Sequence, residues 1–371
     1  MNYSYWEHKN WLSNIDYVII GSGIVGLNCA LQLRKKYPKA KIVILERGLL
    51  PQGASTKNAG FACFGSLTEL IDDLKTHSEE EVIKLVLQRI KGLHLLRQLV
   101  GDKNMSYNAF GGFELFTERD SFLFEECQVH KNHINQLLKP IFKAEVFTEI
   151  DNHFNFKNIH EQLIFNPFEG QIDTGKMMDT LLKKAIKNDI KILNHISVEA
   201  IEEHNTGVEL KTNQFNLKAK KVLVATNGFA SQLLDEVVKP ARAQVLITSP
   251  IKKLHIKGTF HLEQGYYYFR NINNRILLGG GRQLDFKTEE TTSFEQTELI
   301  QNKLEALLHT VILPNSNFEI EHRWSGIMGV GAQKNPIVKQ ISNHIYCGVR
   351  LGGMGIAIGS LVGKELADLV D

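Results

Sequence analysis

The sequence predicts a mixed α/β fold in which a parallel-sheet domain is interleaved with an antiparallel-sheet domain. The first observation is a strand, glycine turn, helix and strand pattern over residues 16–47 of the 371-residue chain. The second is a series of short strand-like runs over residues 242–281, separated by glycine- and asparagine-rich turns. Because no repeat, low-complexity tract or flexible linker divides these regions, we expect the two domains to alternate along the chain.

Composition narrows the class of protein. The chain is 43% hydrophobic and 23% charged with a formal net charge of +2, which is typical of a globular protein and gives no basic block for nucleic acid. The first residues lack the apolar core of a signal peptide, and no apolar run is long enough to span a bilayer. We therefore expect a cytoplasmic protein that acts on a small molecule, and a homo-oligomer is left open.

The four cysteines, Cys29, Cys63, Cys127 and Cys347, are scattered along the chain without the spacing of metal ligands. This usage fits a reducing compartment. The fourteen histidines also show no spacing that indicates a metal or a nucleophile site. We expect no metal ion.

The pattern at residues 16–47 is that of a βαβ unit with a dinucleotide-binding turn. An apolar run at Tyr17–Ile20 leads into Gly21, Gly23 and Gly26, and a helical stretch follows. The first glycine permits the tight turn, the second lets main-chain N–H groups approach a pyrophosphate, and the third lets helix and strand pack closely. The positive end of the helix dipole then faces the phosphates.

Glu46 ends the second apolar run, which covers residues 41–45. It lies twenty positions after Gly26, where a carboxylate accepts hydrogen bonds from the adenosine ribose and disfavours a 2′-phosphate. Arg47, next to it, is expected on the adenine side. At this point NAD and FAD both remain open.

The middle of the chain reads as a loop followed by alternating helices and strands. Residues 48–66 are small and polar and predict a long ordered loop. Apolar spacing then predicts elements at Leu67–Leu74 (helix), Glu79–Val100 (helix), Phe113–Thr117 (strand), Arg119–Leu138 (helix) and Asp173–Lys187 (helix capped by Asp173), with short extended segments over 144–166.

A strand and a small meander come next. The predicted strands are Ile190–Asn194, Val198–Glu202, Val208–Leu210 and Phe215–Leu217. A buried strand over 220–224 then turns into a helix, and its corner at Ala225, Thr226, Asn227 and Gly228 is expected to bring main chain close to a ligand.

The antiparallel region and the tail complete the chain. The predicted strands are Gln244–Thr248, Thr259–Leu262, Tyr266–Arg270, Ile276–Leu278, Glu319–Trp324, Pro336–Val338 and Ile345–Val349. A helix is predicted over Ser293–Leu308, and a glycine turn at 351–355 leads into a terminal helix that reaches Asp371.

Four segments together resemble the D-amino-acid oxidase family of FAD-dependent oxidoreductases, which includes glycine oxidase, sarcosine oxidase and γ-glutamylputrescine oxidase. They are GSGIVG with Glu46, the loop GASTKNAGF, the corner VLVATNG, and the stretch from RWSGIMG through GVRLGGMGIAIGSLVGKELADL. The segments span nearly the whole chain in the order of the family. The resemblance implies a Rossmann-like FAD-binding domain interleaved with an antiparallel-sheet substrate domain, and it favours FAD over NAD.

The resemblance also implies positions for both domains and for the cofactor. The FAD-binding domain would comprise residues 1–100, 163–235 and 320–371, and the substrate domain 101–162 and 236–319. No cysteine or histidine stands at the usual tether positions, so FAD is expected to be non-covalent. The residues implied to hold FAD are Gly21, Gly23, Gly26, Glu46, Arg47, Ser55, Thr56, Asn58, Ala59, Gly60, Val198, Ala225, Thr226, Gly228, Gly353, Met354, Gly355 and Ile356.

The aromatic run at 266–270 is implied to face the flavin. Alternation along a strand places Tyr266 and Tyr268 on one face and Tyr267 and Phe269 on the other. We expect the first pair to face the substrate, with a phenol that donates to a carboxylate, and the second pair to serve packing.

The sequence departs from the family after Trp-Ser-Gly at 324–326. Amino-acid-oxidising members usually carry an arginine two positions further on, which clamps the substrate carboxylate, whereas this chain has Met328. Arg282 and Arg350 are our candidates to replace it, because both are expected at strand ends near the flavin. Arg270 and Arg323 are expected in structural salt bridges.

The expected function is hydride transfer from the carbon of an amine or amino-acid derivative to flavin N5, giving an imine, with reoxidation by oxygen or another acceptor. Lys57, in the flavin loop, is a candidate to assist oxygen reduction or bind substrate, or is simply solvated. Two alternatives stay open. One is oxidation of a 2-hydroxy acid by the same geometry, and the other is a flavin-binding assembly or interaction protein without catalysis, which the loss of the arginine at Met328 suggests.

Overall fold

The fold is seen in a computed structural model, which describes residues 2–370. The strands are β1 (Ile15–Ile20), β2 (Ile42–Leu45), β3 (Phe61–Ala62), β4 (Gly112–Leu115), β5 (Thr148–Asp151), β6 (Gln162–Asn166), β7 (Gly170–Gln171), β8 (Lys191–Leu193), β9 (Val198–His204), β10 (Gly207–Thr212), β11 (Asn216–Val224), β12 (Lys239–Thr248), β13 (Thr259–Leu262), β14 (Tyr267–Ile272), β15 (Arg275–Gly280), β16 (Ile320–Val330), β17 (Ile337–Gln340) and β18 (Ile345–Val349).

The α-helices lie between these strands. They are α1 (Tyr5–Glu7), α2 (Ile24–Lys36), α3 (Leu67–Leu74), α4 (Glu79–Val100), α5 (Ser121–Phe142), α6 (Thr174–Lys187), α7 (Glu298–Leu307) and α8 (Gly355–Asp368). Among residues 2–370, no helix combines the length and the apolarity needed to cross a bilayer.

The first sheet is built around β1, which pairs in parallel with β2 and with β11. The strand order is β17-β18-β11-β1-β2-β8, and β9 and β10 form a meander with β11. Ile19 and Ile44 pack against α2, α6 and α8 on one face, while Val18 and Val43 pack against the meander on the other. Burial on both faces explains the continuous apolar runs of β1 and β2.

The second sheet has the order β16-β12-β15-β14-β13-β4-β6-β5. Its neighbouring strands are antiparallel apart from the parallel pair of β4 and β13. Tyr267 and Phe269 are fully buried in an aromatic core, where Phe269 stacks on Phe260 with ring centroids 4.5 Å apart. Ile300 and Leu304 of α7 cover the same core. The expected mixed fold with a parallel and an antiparallel sheet is confirmed.

Most element boundaries follow the prediction, and α3, α4, β13 and β18 match it to the residue. The expectation for α7 is wrong at its start, because the helix begins at Glu298 instead of Ser293. The main-chain N–H of Thr297 donates to Gln244 Oε1 at 3.0 Å and holds the preceding segment against β12. The expected helix after Ala225 is only a 3₁₀ turn over Asn227–Gln232.

Other differences lie at chain ends and along one strand. The N-terminal helix α1 carries no apolar periodicity and was not expected. The expected strand Glu319–Trp324 runs on to Val330, because β12 pairs with it along its length. The helix expected to reach Asp371 ends at Asp368, and Asp371 lies outside the described residues.

The division into two domains stays a prediction. Strand pairing places residues 320–330 and 163–166 in the second sheet, although the expected division assigns them to the FAD-binding domain. A domain boundary that follows the sheets would therefore lie after β16 and after β6.

Candidate active site

The glycine turn between β1 and α2 is shaped by close main-chain contacts. Gly21 has a φ of +104°, and a Cβ there would lie 2.8 Å from the carbonyl oxygen of Ala225. A Cβ at Gly26 would lie 1.9 Å from the carbonyl oxygen of Gly21, so only glycine lets α2 start this close to β1. Gly23 caps α2, and a Cβ there would lie 2.9 Å from Ser55 Oγ. Gly21 and Gly23 line a cavity, whereas Gly26 serves the packing.

Glu46 is buried at the end of β2 and borders the same cavity. Its Oε2 accepts hydrogen bonds from Ser22 N (3.1 Å) and Ser22 Oγ (2.7 Å), and its Oε1 accepts one from Gly48 N at 3.0 Å. These donors fix the carboxylate without a cation. Next to it, the guanidinium of Arg47 lies 3.6 Å from the ring centroid of Phe229, and burial lowers the pKa of Arg47.

The loop at residues 53–60 forms the next part of the wall. Ser55, Asn58 and Gly60 border the cavity. Asn58 holds the loop from inside, since its Nδ2 donates to Ser55 O and its Oδ1 accepts from Gly60 N, both at 2.9 Å. Thr56 does not border the cavity, and its Oγ1 donates to Pro51 O at 2.7 Å. Thr56 thus supports the loop fold.

Of the two arginines expected in salt bridges, Arg323 forms one and, within the described residues, Arg270 does not. Arg270 is buried and forms no ion pair within residues 2–370; instead its guanidinium donates to main-chain carbonyls, including that of Ala59, which also borders the cavity. The expected salt bridge of Arg270 is wrong, and burial lowers its pKa to about 10. Arg323 forms the expected ion pair, with Glu305 at 2.8 Å.

The corner after β11 brings a third segment to the cavity. Ala225 and Thr226 border it, and Thr226 Oγ1 is buried without a hydrogen-bond partner among the described residues. Gly228 does not border the cavity, and a Cβ there would lie 2.5 Å from the carbonyl oxygen of Met328. Val198, the first residue of β9, also borders the cavity.

The N-terminus of α8 closes this end of the wall. Gly353, Met354, Gly355 and Ile356 all border the cavity. A Cβ at Gly355 would meet nothing within 4 Å, and a Cβ at Gly353 would meet only Met328 Sδ at 4.0 Å. The first N–H groups of a helix have no partner within it, and they carry the positive end of its dipole. This wall is therefore suited to an electron-rich edge of a ligand.

A single cavity of about 630 Å³ connects these segments with the face of the second sheet. It starts at the glycine turn and Glu46, passes the 53–60 loop and α8, and reaches Tyr268 and Arg282. The start of α2, bare glycine main chain and the unpartnered Thr226 hydroxyl fit a diphosphate, and the start of α8 fits a ring that gains negative charge. The residues present therefore fit FAD.

The aromatic strand presents the faces that alternation predicts. Tyr267 and Phe269 are buried in the core, while Tyr266 and Tyr268 border the cavity. Burial raises the pKa of Tyr268 to about 12, so its hydroxyl stays protonated at neutral pH. Phe61 packs edge-on against the Tyr268 ring at 5.7 Å. The sheet thus offers an aromatic wall with a phenol donor.

Three expected cations border the cavity. The Arg282 guanidinium lies 4.8 Å from the ring centroid of Phe286, and burial lowers the pKa of Arg282. Arg350 has a φ of +64° and donates from Nε to a main-chain carbonyl at 3.0 Å. Lys57 Nζ lies 5.2 Å from the ring centroid of Phe294.

Arg89 and His261 also border the cavity, and neither was expected there. His261 Nε2 lies 2.9 Å from Glu169 Oε2, and both side chains are buried. Burial lowers the pKa of His261, but the charge and the hydrogen bond of Glu169 raise it by more. The net result is a pKa raised to about 9. Arg89 lies on the apolar stripe of α4, between Val86 and Leu93, and a charged residue in such a stripe is the signal that points to it.

Together, a nucleotide cradle on a parallel sheet and an aromatic, cation-lined wall on an antiparallel sheet define a flavin-dependent oxidoreductase. The comparison with known families agrees. The chain belongs to the DAO family of FAD-dependent oxidoreductases, whose model matches residues 16–369. The family and the cofactor expected from the sequence are thereby confirmed.

Individual relatives are distant. The probable oxidoreductase OrdL of Haemophilus influenzae is 21% identical over 97% of this chain and 83% of that protein. L-2-hydroxyglutarate dehydrogenase of Salmonella houtenae is 23% identical over 60% of this chain and about half of its own length (49%). The crystal structure of glycine oxidase from Geobacillus kaustophilus superposes with a TM-score of 0.76 at 19% identity, over 96% of this chain and 94% of that one. At this identity the superposition shows the fold.

Proposed function

We propose that this protein oxidises an amine or an amino-acid derivative at the carbon that bears the nitrogen. The observation that carries the proposal is the continuity of the cavity, which runs from the nucleotide cradle to the wall of Tyr268, Arg282 and Lys57. FAD, when bound, supplies the hydride acceptor and passes the electrons on to oxygen or another acceptor. The oxidised substrate is an imine, which water hydrolyses.

The chain's own residues would orient the substrate and hold its protons. Tyr268, kept neutral by burial, is placed to donate a hydrogen bond to a substrate oxygen. Phe61 and Tyr268 give the reacting carbon an apolar wall that limits water. Arg282 and Arg350 remain candidates for an anionic group of the substrate, because both border the cavity.

The test is anaerobic reduction of the bound flavin by substrate panels. Amines, amino acids and N-alkyl amino acids are mixed with the holoenzyme, and loss of the visible flavin absorption is followed over time. We expect reduction by members of this panel and none by 2-hydroxy acids.

A second candidate function is oxidation of a 2-hydroxy acid, which the similarity to L-2-hydroxyglutarate dehydrogenase favours. Reduction by hydroxy acids alone would establish it in place of amine oxidation. A third, a flavin-binding protein without catalysis, would require that dithionite reduces the flavin while no panel member does. These three outcomes are mutually exclusive in the same assay.

Other properties stay proposals. The four cysteines are free and buried, which supports a cytoplasmic location. A homo-oligomer stays open, and the sedimentation coefficient of the holoenzyme tests it. The expected roles of Lys57, Tyr266 and most of the cofactor-binding residues are supported by their place along the cavity, whereas Gly26, Thr56 and Gly228 do not border it.

A further inference from the structure

Arg89 is a buried guanidinium at the cavity wall without a carboxylate partner. The residue is 5% exposed and borders the cavity. Its Nη1 donates to the carbonyl oxygen of Phe64 at 2.6 Å, whereas its Nε has no hydrogen-bond partner among residues 2–370. Within the part of the chain that the structure describes, no ion pair includes Arg89. A buried cation is costly unless an anion compensates it, so this position is suited to an anionic ligand.

Two carboxylates, those of Glu69 and Asp73, act on Arg89 through their charge, but neither forms an ion pair with it among the described residues. Glu69 Oε2 accepts the main-chain N–H of Ser66 at 2.9 Å in the capping box of α3. Asp73 pairs with Lys334 through Oδ1, while its buried Oδ2 has no hydrogen-bond partner among the described residues. Burial lowers the pKa of Arg89, although the charges of Glu69 and Asp73 oppose that shift. Neither acid therefore supplies the direct partner that the guanidinium lacks.

Arg89 also lies close to the N-terminus of α8. A Cβ at Gly92, one turn further along α4, would lie 2.1 Å from the carbonyl oxygen of Ala357, in the first turn of α8. Cys63 Sγ contacts Met354 Sδ at 3.9 Å, and the next residue, Phe64, accepts the hydrogen bond of Arg89. The guanidinium and the positive end of the α8 dipole therefore lie on the same part of the cavity wall.

We infer that Arg89 binds the carboxylate of the substrate and replaces the arginine that Met328 lacks. The inference rests on the proposed function and deepens it, because it restricts the substrate to molecules with a carboxylate next to the oxidised carbon. Arg89 is a better candidate for this carboxylate than Arg282 or Arg350. Arg282 lies against Phe286, and Arg350 Nε already donates to a main-chain carbonyl.

The experiment measures binding rather than turnover. Benzoate is titrated into the holoenzyme and followed by the flavin absorption spectrum and by calorimetry, with benzamide as its uncharged counterpart. Wild type should prefer benzoate. Arg89→Met should weaken benzoate binding about 10- to 100-fold, because charge-assisted hydrogen bonds are lost, and should leave benzamide binding unchanged. Arg89→Lys should regain part of the affinity.

Arg97→Met is the matched control, because Arg97 lies on the same helix in an exposed ion pair with Asp102 and away from the cavity. It should bind benzoate like wild type. FAD content and thermal unfolding are recorded for each variant. Should Arg89→Met not fold, Arg89→Lys decides, with an expected loss of at least about fivefold for benzoate alone.

Several results would overturn the inference. A wild type without preference for benzoate over benzamide, including one that binds neither, would do so. So would unchanged benzoate affinity in the Arg89 variants, or a loss seen only in Arg282→Met or Arg350→Met. Unchanged benzoate affinity with a shifted flavin midpoint potential would assign Arg89 to the cofactor instead. Failure of the proposed function is separate, since it appears as an unreduced flavin in the substrate panels.

Discussion

Replacing Glu46 by glutamine should destabilise the protein, because both carboxylate oxygens accept hydrogen bonds and a glutamine NH₂ group cannot accept any. The carboxylate accepts from Ser22 with one oxygen and from Gly48 N (3.0 Å) and Gln52 N (3.3 Å) with the other. Glutamine has a single acceptor oxygen. If that oxygen stays on Ser22, the amide NH₂ faces two main-chain donors. The buried N–H of Gly48 then loses its acceptor at a cost of about 1–3 kcal/mol, while the N–H of the exposed Gln52 can bind water and adds less.

Urea unfolding of the cofactor-free protein measures this loss, and fluorescence titration measures FAD affinity, which should fall at least about tenfold where Glu46 accepts ribose hydroxyls. Glu321→Gln is the control, because it breaks only an exposed ion pair with Arg275 (2.6 Å) and should cost about 0–1 kcal/mol. If Glu46→Gln unfolds within about 0.5 kcal/mol of wild type, the hydrogen-bond reasoning is refuted.

Three further predictions concern Gly26, His261 and Cys63. Gly26→Ala should prevent stable folding, because its Cβ would lie 1.9 Å from a main-chain oxygen, whereas Gly53→Ala, with nothing within 4 Å, should unfold like wild type in urea. His261 has a folded pKa of about 9, above its unfolded value, so its stabilising contribution of about 3 kcal/mol is complete below about pH 6.5 and lost as pH rises through 9. His261→Gln should flatten the pH dependence of urea unfolding between pH 6 and 9, the exposed His133→Gln should not, and equal curves would contradict the assignment. Acid precipitation should release FAD into the supernatant, since burial raises the pKa of the cavity-lining Cys63 thiol and keeps it unreactive, and flavin retained in the pellet would show a covalent bond.

The cofactor half of the site could be predicted because its requirements are local. Gly21, Gly26 and Glu46 lie within one βαβ unit, where spacing alone predicts which residue stands at the turn, in the helix and at the end of the second strand. Gly228, which does not border the cavity, shows the limit of that approach. Its glycine is required by the main chain of Met328, one hundred residues later in the sequence, and no local pattern reveals such a contact.

The substrate half was harder to predict because it depends on which elements the fold brings together. Arg89 is separated from the other cavity residues by long stretches of chain, and only its position on an apolar helix stripe distinguishes it from a surface arginine. His261 lies on β13, a strand that the sequence predicts. Its partner Glu169 comes from a different segment, and no local pattern links the two residues. The partners of Arg270 are equally hidden in the sequence, since its acceptors are main-chain carbonyls, which every residue carries.

The arginine that binds the substrate carboxylate in related enzymes is replaced here by Met328, while the segments expected to hold the cofactor are retained. Contacts of the main chain explain how both can be true. Gly228 packs against the carbonyl oxygen of Met328, so the main chain of β16 supports the nucleotide corner whatever side chain stands at that position. The Met328 side chain borders the cavity, with its Sδ 4.0 Å from the place of a Cβ at Gly353 before α8. A cation on the facing helix α4 then compensates without any change in the glycine contacts. We therefore expect substrate choice in this protein to depend on side chains, and FAD binding to depend largely on main chain.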